Sequence, residues 1–336
     1  MNDNRLFTPK LVNLEITLYC PLKCSQCFCA DNKNVHIELN KAKSILLEAR
    51  DAGIEIVNLS GGETLCYPHL NELIAFIKRI GMTVNIATSG YGLSKYLLAD
   101  FIKLKLDGIF ISLNGSHESI NQVSRDGFKY AIEGIKLIAQ DNHIPFKAIN
   151  WVMNRYNTSD FPNMVNLAEE NRFDAIYVVM LKRDKNSGLS AFPSSDNIGV
   201  VVEYIKQYKG DVRIVIDSCF SQLKSILGDW GLGNSNVGVL RGCSAGVDSY
   251  AVDINGLYMP CRHINLKEKR KTLLEYWNES SFLNELRVRD NQTFRCKRCK
   301  YREYCKPCAV NQYGIDGRLY AHSNENDFLC PVFIER

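Results

Sequence analysis

The sequence predicts an α/β protein with a parallel sheet, followed by a smaller cysteine-rich region. Short β-branched runs alternate with helical stretches up to about residue 210, three closely spaced cysteines follow the first run, and seven more cysteines occur after residue 240. Strands that alternate with helices usually form right-handed βαβ units, which place the strands parallel in one sheet. We therefore expect a core domain at 1–210, a bridging segment at 211–240 and a cysteine-rich domain at 241–336.

The elements of the core follow from hydrophobic periodicity and from enrichment in β-branched residues. In the first helix, the apolar side chains of Ala42, Ile45, Leu46 and Ala49 recur at helical spacing. The predicted strands lie at 11–17, 54–59, 82–88, 107–113, 146–153 and 174–181. The predicted helices lie near 39–52, 69–80, 93–104, 127–140 and 160–171. Periodicity alone does not distinguish an open sheet from a barrel.

The composition favours metal or redox chemistry. The chain has 336 residues, of which 46% are hydrophobic, and a formal net charge of +4, so no nucleic-acid partner is expected. It contains no apolar run of membrane-spanning length, and its first ten residues lack the apolar segment of a signal peptide. Thirteen cysteines without an export signal favour metal ligation over disulfides, and we expect a cytoplasmic protein with no membrane partner.

The first three cysteines form one motif directly after the first predicted strand. Cys20, Cys24 and Cys27 have the spacing C-x3-C-x2-C, which lets one loop wrap a compact metal centre. A structural zinc knuckle would need a fourth protein ligand. A cubane [4Fe-4S] cluster usually takes four cysteines, so three from one loop would leave one iron open to a small chelating molecule.

This spacing resembles the signature of the radical S-adenosylmethionine (SAM) enzymes. The resemblance implies that Cys20, Cys24 and Cys27 hold a [4Fe-4S] cluster, whose open iron binds the amino and carboxylate groups of SAM. It also implies a TIM-like partial barrel of six β/α units. SAM would be cleaved reductively to a 5′-deoxyadenosyl radical, which abstracts a hydrogen atom from the substrate.

Polar motifs follow three further strands, at the edge where parallel α/β folds carry their chemistry. The motif Gly61-Gly62-Glu63 looks like the family's loop that contacts the SAM amino group, with glycines that let the backbone approach a ligand and a carboxylate that could accept from an ammonium group. The resemblance adds Thr88 and Ser89 near the ribose and methionine parts of SAM, Ser112 and Asn114 at the end of the fourth strand, and Arg125 at the SAM carboxylate. Many relatives have Asp where Asn114 stands, so a ribose contact survives without a carboxylate role. A solvated charge at a helix start is the alternative for Arg125.

The C-terminal cysteines resemble the SPASM extension of radical SAM enzymes, which binds two auxiliary [4Fe-4S] clusters. By this resemblance, Cys243, Cys261 and Cys308 would serve the first auxiliary cluster. The second would be held by Cys296, Cys299, Cys305 and Cys330. Cys305 and Cys308 are separated by two residues, where the family usually has three. A zinc ribbon is the alternative for the run at 296–308.

The first auxiliary cluster has only three ligands in this assignment. Cys219, a water or a substrate group could fill the fourth place. Cys219 could instead be a catalytic hydrogen-atom donor to a substrate radical, or a plain buried thiol. A small hairpin turned at Asn255–Gly256 would deliver Cys261 at its far end.

Relatives with this extension mostly modify peptides, so the leading hypothesis is modification of a ribosomally made peptide by crosslinking, epimerisation, excision or oxidation. A flavodoxin or ferredoxin is implied as the reductant. Because the barrel begins within about ten residues of the first residue, we expect either that a separate protein recognises the leader or that the substrate is not a leader-bearing peptide. The alternatives are a dehydrogenase or epimerase of a small molecule such as an aminocyclitol or sugar, and a non-catalytic iron–sulfur electron carrier.

Overall fold

A ten-stranded, mostly parallel sheet runs through the described part of the chain. The computed structural model describes residues 9–29, 33–182, 191–220, 223, 227, 237–239, 242–288 and 308–310. The strands are β1 (Leu11–Thr17), β2 (Ile56–Gly61), β3 (Thr83–Thr88), β4 (Gly108–Ser112), β5 (Phe146–Met153), β6 (Ala175–Met180), β7 (Arg213–Ile216), β8 (Val237–Val239), β9 (Ser249–Val252) and β10 (Tyr258–Met259).

The strands are ordered β10-β9-β1-β2-β3-β4-β5-β6-β7-β8 across the sheet. Neighbouring strands are parallel except β9 and β10, which are antiparallel. The sheet is open, with β10 and β8 at its two edges. The predicted α/β class is confirmed, and the six predicted strands correspond to β1–β6 within two residues at each end. The same sheet continues through β7 and β8, which lie in the segment predicted as a bridge.

Seven of the described helices lie in the core, among or after its strands, and two more follow β10 in the C-terminal region. They are α1 (Leu39–Asp51), α2 (Leu70–Arg79), α3 (Lys95–Lys103), α4 (Glu118–Asn121), α5 (Phe128–Ala139), α6 (Phe161–Glu170), α7 (Ser195–Gln207), α8 (Leu273–Glu279) and α9 (Ser281–Arg287). Side-chain caps fix several of their starts: Glu38 accepts from the backbone N–H groups of Asn40 and Lys41 at 3.1 and 3.0 Å. The five predicted helices correspond to α1, α2, α3, α5 and α6. None of the helices in the described residues is both long and apolar enough to cross a membrane.

The C-terminal region adds a hairpin to the open side of β1. Strand β9 pairs in parallel with β1, from Leu11 opposite Ser249 to Leu14 opposite Val252. The chain then turns at Gly256, whose φ of +75° is in the left-handed region that glycine adopts most readily, and returns as β10. The hairpin predicted at Asn255–Gly256 is therefore present, and Cys261 follows its second strand.

A half-buried carboxylate on α1 fastens this region to the core. Glu48 Oε2 accepts a hydrogen bond from the hydroxyl of Tyr258 at 2.9 Å, and Oε1 accepts from the backbone N–H of Leu273 at 2.6 Å. The second bond also holds the start of α8. One side chain thus joins the first helix of the core to two elements of the C-terminal region.

We predict that Glu48→Ala lowers the free energy of unfolding by about 1–3 kcal/mol, because it leaves the Tyr258 hydroxyl and the Leu273 N–H without their acceptor. Denaturant unfolding of the cluster-loaded protein measures the change. The matched control is Glu133→Ala on α5. The Glu133 side chain is 60% exposed, and its one ion pair among the described residues is a long contact of 3.9 Å between Oε1 and Lys129 Nζ. That change should stay within about 0.5 kcal/mol. Equal effects of the two substitutions would contradict the prediction.

Candidate active site

The segment 20–29, called the cysteine loop below, leaves the carboxyl end of β1 and is fastened to the segment 123–126. The backbone N–H of Gln26 donates to a carbonyl of that segment at 3.3 Å. The backbone N–H of Asp126 donates to Cys24 Sγ at 3.4 Å. The loop carries all three predicted ligands of the SAM-binding cluster, Cys20, Cys24 and Cys27, and their thiols are free. The contact at Cys24 is the kind of backbone N–H···S bond that orients a metal-bound thiolate.

The two glycines after β2 pack against the start of the cysteine loop. The backbone N–H groups of Gly62 and Glu63 donate to the carbonyls of Thr17 and Tyr19, both at 2.7 Å. A Cβ at Gly61 would lie 2.1 Å from the Thr17 oxygen. A Cβ at Gly62 would lie 2.2 Å from the Tyr19 oxygen. The protein's own backbone therefore requires both glycines, whereas the sequence analysis explained them by the approach of a ligand.

Glu63 is buried and joins the loops that follow β2 and β3. Its Oε1 accepts from the backbone N–H of Leu65 at 3.0 Å and from the Thr88 hydroxyl at 2.5 Å. Its Oε2 accepts from the backbone N–H of Ser89 at 2.8 Å and from the Ser89 hydroxyl. Burial raises the pKa of Glu63, and these hydrogen bonds oppose the rise. A carboxylate has about four acceptor positions, so the protein itself uses all of those on Glu63.

Asn114 connects the loop after β4 to the cysteine loop. Its buried side chain donates to Gln26 Oε1 at 2.9 Å and to the Ser124 hydroxyl at 2.8 Å. Its Oδ1 accepts from the backbone N–H of Val152 at 3.1 Å. The amide thus spends its polar groups on protein partners, and the ribose contact expected of it stays a prediction. Ser112, the last residue of β4, lies in register with Asn150 of β5.

Arg125 lies beside the cysteine loop with part of its guanidinium unsatisfied. Its charge acts on the Cys27 thiol. Its Nε is buried and has no hydrogen-bond partner among the described residues. A half-buried arginine with an unused, buried Nε donor next to a metal-binding loop is suited to hold a carboxylate.

Four cysteines from the C-terminal half meet around Lys182, which follows β6. Cys219 is hydrogen-bonded to Cys308, and the charges of Cys243 and Cys261 act on Cys308. Lys182 Nζ donates to Cys308 Sγ at 3.7 Å. The structure therefore brings Cys219 to the three cysteines assigned to the first auxiliary cluster. Cys296, Cys299, Cys305 and Cys330 lie outside the described residues.

One family model matches the first part of the chain. Residues 14–168 match the model of the radical SAM superfamily. This chain carries a radical SAM domain. A relative, the AdoMet-dependent heme synthase of Methanosarcina barkeri, is 22% identical over 330 residues, which cover 92% of this chain and 93% of the relative. The chain is accordingly an enzyme, and the hypothesis of a non-catalytic electron carrier is set aside.

Solved structures share the fold of this radical SAM enzyme. SuiB of Streptococcus suis bound to S-adenosylmethionine superimposes with a TM-score of 0.75 at 20% identity, over 95% of this chain and 77% of SuiB. SuiB bound to its precursor peptide SuiA gives 0.75 at 18% identity, over 95% and 76%. The structure of anSMEcpe with bound AdoMet gives 0.70 at 16% identity, over 94% and 90%.

The two thiol sites of the radical SAM enzyme have different electrostatics. At the cysteine loop, burial raises the pKa of Cys20 to about 11. Burial also raises the pKa of Cys27, against which Arg125 and Arg262 act. At the second site, the hydrogen bond from Cys219 and the charge of Lys182 lower the pKa of Cys308 although burial opposes them. Lys182 and Cys219 thus favour the thiolate form of Cys308, whereas burial disfavours the thiolate forms of Cys20 and Cys27.

Three residues that contact this site were not predicted from the sequence. Gln26 and Asp126 act through a side-chain carbonyl and a backbone N–H, for which sequence spacing gives no signal. Arg262 follows Cys261 directly, and a cation next to a predicted ligand was the one available hint. Within the described ranges, no three His, Cys, Asp or Glu side chains converge as ligands of a single metal ion would.

We predict that Gly62→Ala prevents stable loading of the cysteine loop, because its Cβ would displace the Tyr19 carbonyl at the entry to that loop. Iron content and the EPR signal of the reduced cluster measure the loss. Gly199→Ala is the matched control, since α7 offers its Cβ no neighbour within 4 Å. That control should load normally and gain up to about 1 kcal/mol in unfolding free energy. Normal loading of Gly62→Ala would refute the assignment.

Proposed function

We propose that the cysteine loop and its surroundings bind a [4Fe-4S] cluster and SAM. Cys20, Cys24 and Cys27 hold three irons, Arg125 holds the SAM carboxylate, and the backbone around Gly61–Gly62 faces the amino group. When bound, the cluster and SAM supply a 5′-deoxyadenosyl radical for hydrogen-atom abstraction. Buried Glu63 accepts hydrogen bonds from Thr88 and Ser89 and so positions these two residues next to the adenosine part of SAM.

The observation that carries this proposal is the buried, unpartnered Nε of Arg125 beside Cys27. The donor set fits the group: three thiols in one loop, one of which accepts a backbone hydrogen bond, with a cation nearby. The hydrogen bonds of Glu63 and Asn114 hold the loops after β1, β2, β3 and β4 in fixed relation. A ligand would therefore meet a site whose walls are already ordered.

We propose a peptide as the substrate. In support, SuiB has been solved bound to a precursor peptide, and anSMEcpe with a bound peptide, and both share the fold over at least 94% of this chain. The proposed modification is a crosslink, epimerisation, excision or oxidation. A flavodoxin or ferredoxin would act as reductant and a separate protein would bind the leader, all in the cytoplasm.

A small molecule is the second candidate substrate. The relative aligned over 92% of this chain is an AdoMet-dependent heme synthase, and heme is a small molecule. A tetrapyrrole now joins the aminocyclitol and sugar substrates as a member of this class. Lys182, a half-buried cation beyond the carboxyl end of β6, would meet an acidic group of such a molecule.

The second thiol site completes the proposal. Cys219, Cys243, Cys261 and Cys308 would hold the first auxiliary [4Fe-4S] cluster, which gives it the usual four cysteines. Cys296, Cys299, Cys305 and Cys330 would hold the second. Under this assignment Cys219 is a ligand, and the alternative of a hydrogen-atom donor is left to experiment.

We predict that the anaerobically loaded enzyme, reduced with dithionite, releases 5′-deoxyadenosine from SAM. Arg125→Met should weaken SAM binding by about 10- to 150-fold, since it removes a charge-assisted contact of about 1.5–3 kcal/mol. Lys129→Met is the control, because Lys129 is 77% exposed at the start of α5. Unchanged SAM affinity in Arg125→Met would rule out its assigned role. Absent SAM cleavage despite a formed cluster would rule out the function.

The substrate is identified by tracing the abstracted hydrogen. Candidate peptides and a tetrapyrrole with acidic side chains are each supplied in deuterated form with SAM and reductant. Deuterium in 5′-deoxyadenosine together with a modified peptide mass supports the first candidate. Deuterium transfer from the tetrapyrrole alone supports the second and overturns the peptide proposal.

We predict that Cys219→Ala lowers iron content by up to about four atoms per chain, because it removes the fourth thiolate of an auxiliary cluster. Cys66→Ala is the matched control, a half-buried thiol that belongs to neither group of ligands. Its iron content should equal that of the unmodified enzyme. Full iron with normal cluster spectra in Cys219→Ala, combined with loss of product, would instead make Cys219 the hydrogen-atom donor.

A further inference from the structure

Arg262 extends from the C-terminal region into the base of the cysteine loop. Its Nε donates to Glu15 Oε1 of β1 at 3.2 Å. Its Nη2 donates to the carbonyl of Gly61 at 3.1 Å and to Cys29 Sγ at 3.6 Å. One guanidinium therefore touches β1, the end of β2 and the last part of the cysteine loop.

The cysteine loop also grips the Arg262 segment through an aromatic ring. The ring of Phe28, between Cys27 and Cys29, lies 5.0 Å from the guanidinium carbon of Arg262 and 4.0 Å from the imidazole centroid of His263. Cation–π and ring contacts of this kind stabilise one relative position of the two segments. The side chains of Arg262 and Glu15 are only 17% and 9% exposed, so the contact is largely removed from water.

The same segment forms one wall of the second thiol site. The backbone N–H of His263 donates to Cys261 Sγ at 3.5 Å, and His263 Nδ1 lies 3.6 Å from that sulfur. Residue 261 is thus held by its neighbour while residue 262 holds the cysteine loop. A single peptide unit therefore separates the residue at the second thiol site from the residue that contacts the cysteine loop.

We propose that Arg262 is a positioning residue that couples the state of the second thiol site to SAM binding at the cysteine loop. With Cys261 bound to its cluster, Arg262 is held against Glu15, Gly61 and Cys29, and the loop keeps its SAM-binding form. With that site empty, Arg262 loses its anchor and SAM binds less tightly. The inference rests on the proposed SAM site and adds the residue that connects it to the second site.

Fork geometry explains why arginine is required here. A planar guanidinium can donate to three acceptors in fixed directions, whereas a lysine ammonium is a point charge on a flexible stem. Arg262→Lys should therefore keep the charge beside Glu15 but lose the simultaneous contacts. Arg262→Met leaves Glu15 buried without its partner, so Arg262→Met combined with Glu15→Gln provides a form without an unpaired charge.

The first test compares loaded enzymes by SAM affinity and by the change that SAM makes in the EPR spectrum of the reduced cluster. Arg262→Lys and the double variant should each raise the Kd for SAM about tenfold, as expected for coupled sites. Hydrogen exchange of residues 18–29 should also accelerate. Arg79→Met is the matched control, since this exposed arginine lies 5.3 Å from the Phe76 ring and touches neither site. Wild-type behaviour of both Arg262 variants would overturn the proposal.

The second test is a double-mutant cycle with Cys243→Ala, which empties the second thiol site. If Arg262 carries the coupling, Cys243→Ala raises the Kd for SAM in the unmodified enzyme and has little further effect in Arg262→Lys. If the increases in the Kd for SAM caused by Cys243→Ala and by Arg262→Lys instead multiply in the double variant, Arg262 only supports the fold and the coupling is overturned. If SAM does not change the EPR spectrum of the unmodified enzyme, the proposed function and this inference are both overturned. If SAM changes the spectrum equally in the unmodified enzyme and in the Arg262 variants, only the inference is overturned.

Discussion

The backbone contact between the end of β2 and the end of β1 determines the arrangement of the site. The backbone N–H groups of Gly62 and Glu63 donate to the carbonyls of Thr17 and Tyr19. A Cβ on Gly61 would collide with the Thr17 oxygen, and a Cβ on Gly62 with the Tyr19 oxygen. The contact fixes where the cysteine loop leaves the sheet. It also fixes the backbone of Glu63, whose N–H donates to Tyr19. The Glu63 side chain is thereby placed against Thr88 and Ser89.

From that contact, buried hydrogen bonds spread along the carboxyl edge of the sheet. Glu63 reaches the loop after β3, and Asn114 joins the loop after β4 to Gln26 of the cysteine loop. Buried polar groups are costly when unpaired, so a network in which each is satisfied permits few alternative arrangements. At this edge the Nε of Arg125 has no hydrogen-bond partner among the described residues, which is the observation behind its proposed role in SAM binding.

The sequence predicted the elements well because their signals are local. Helix α1 shows its buried stripe in Ala42, Leu46 and Ala49, and its start is fixed by the Glu38 cap. The pairing of β9 with β1 could not be predicted, because a strand of four residues carries no signal for a partner more than two hundred residues away. Gly61, Gly62 and Asn114 were predicted to contact SAM, whereas the structure shows them in contact with the protein itself, for a related reason. Residue type predicts which contacts a side chain can make, whereas only the fold decides whether protein or ligand provides the partner.

The placement of β9 has a consequence for the relation between the two thiol sites. Because β9 is hydrogen-bonded to β1, the hairpin that delivers Cys261 and the loop that carries Cys20 start from adjacent strands of one sheet. Glu48 fastens the same hairpin to α1, so the two sites share a rigid base. Above that base, the short stretch from Cys261 to His263 contacts the cysteine loop through the side chains of Arg262 and His263 rather than through strand pairing. The coupling proposed for Arg262 would therefore act over a few side chains and would need no rearrangement of the sheet.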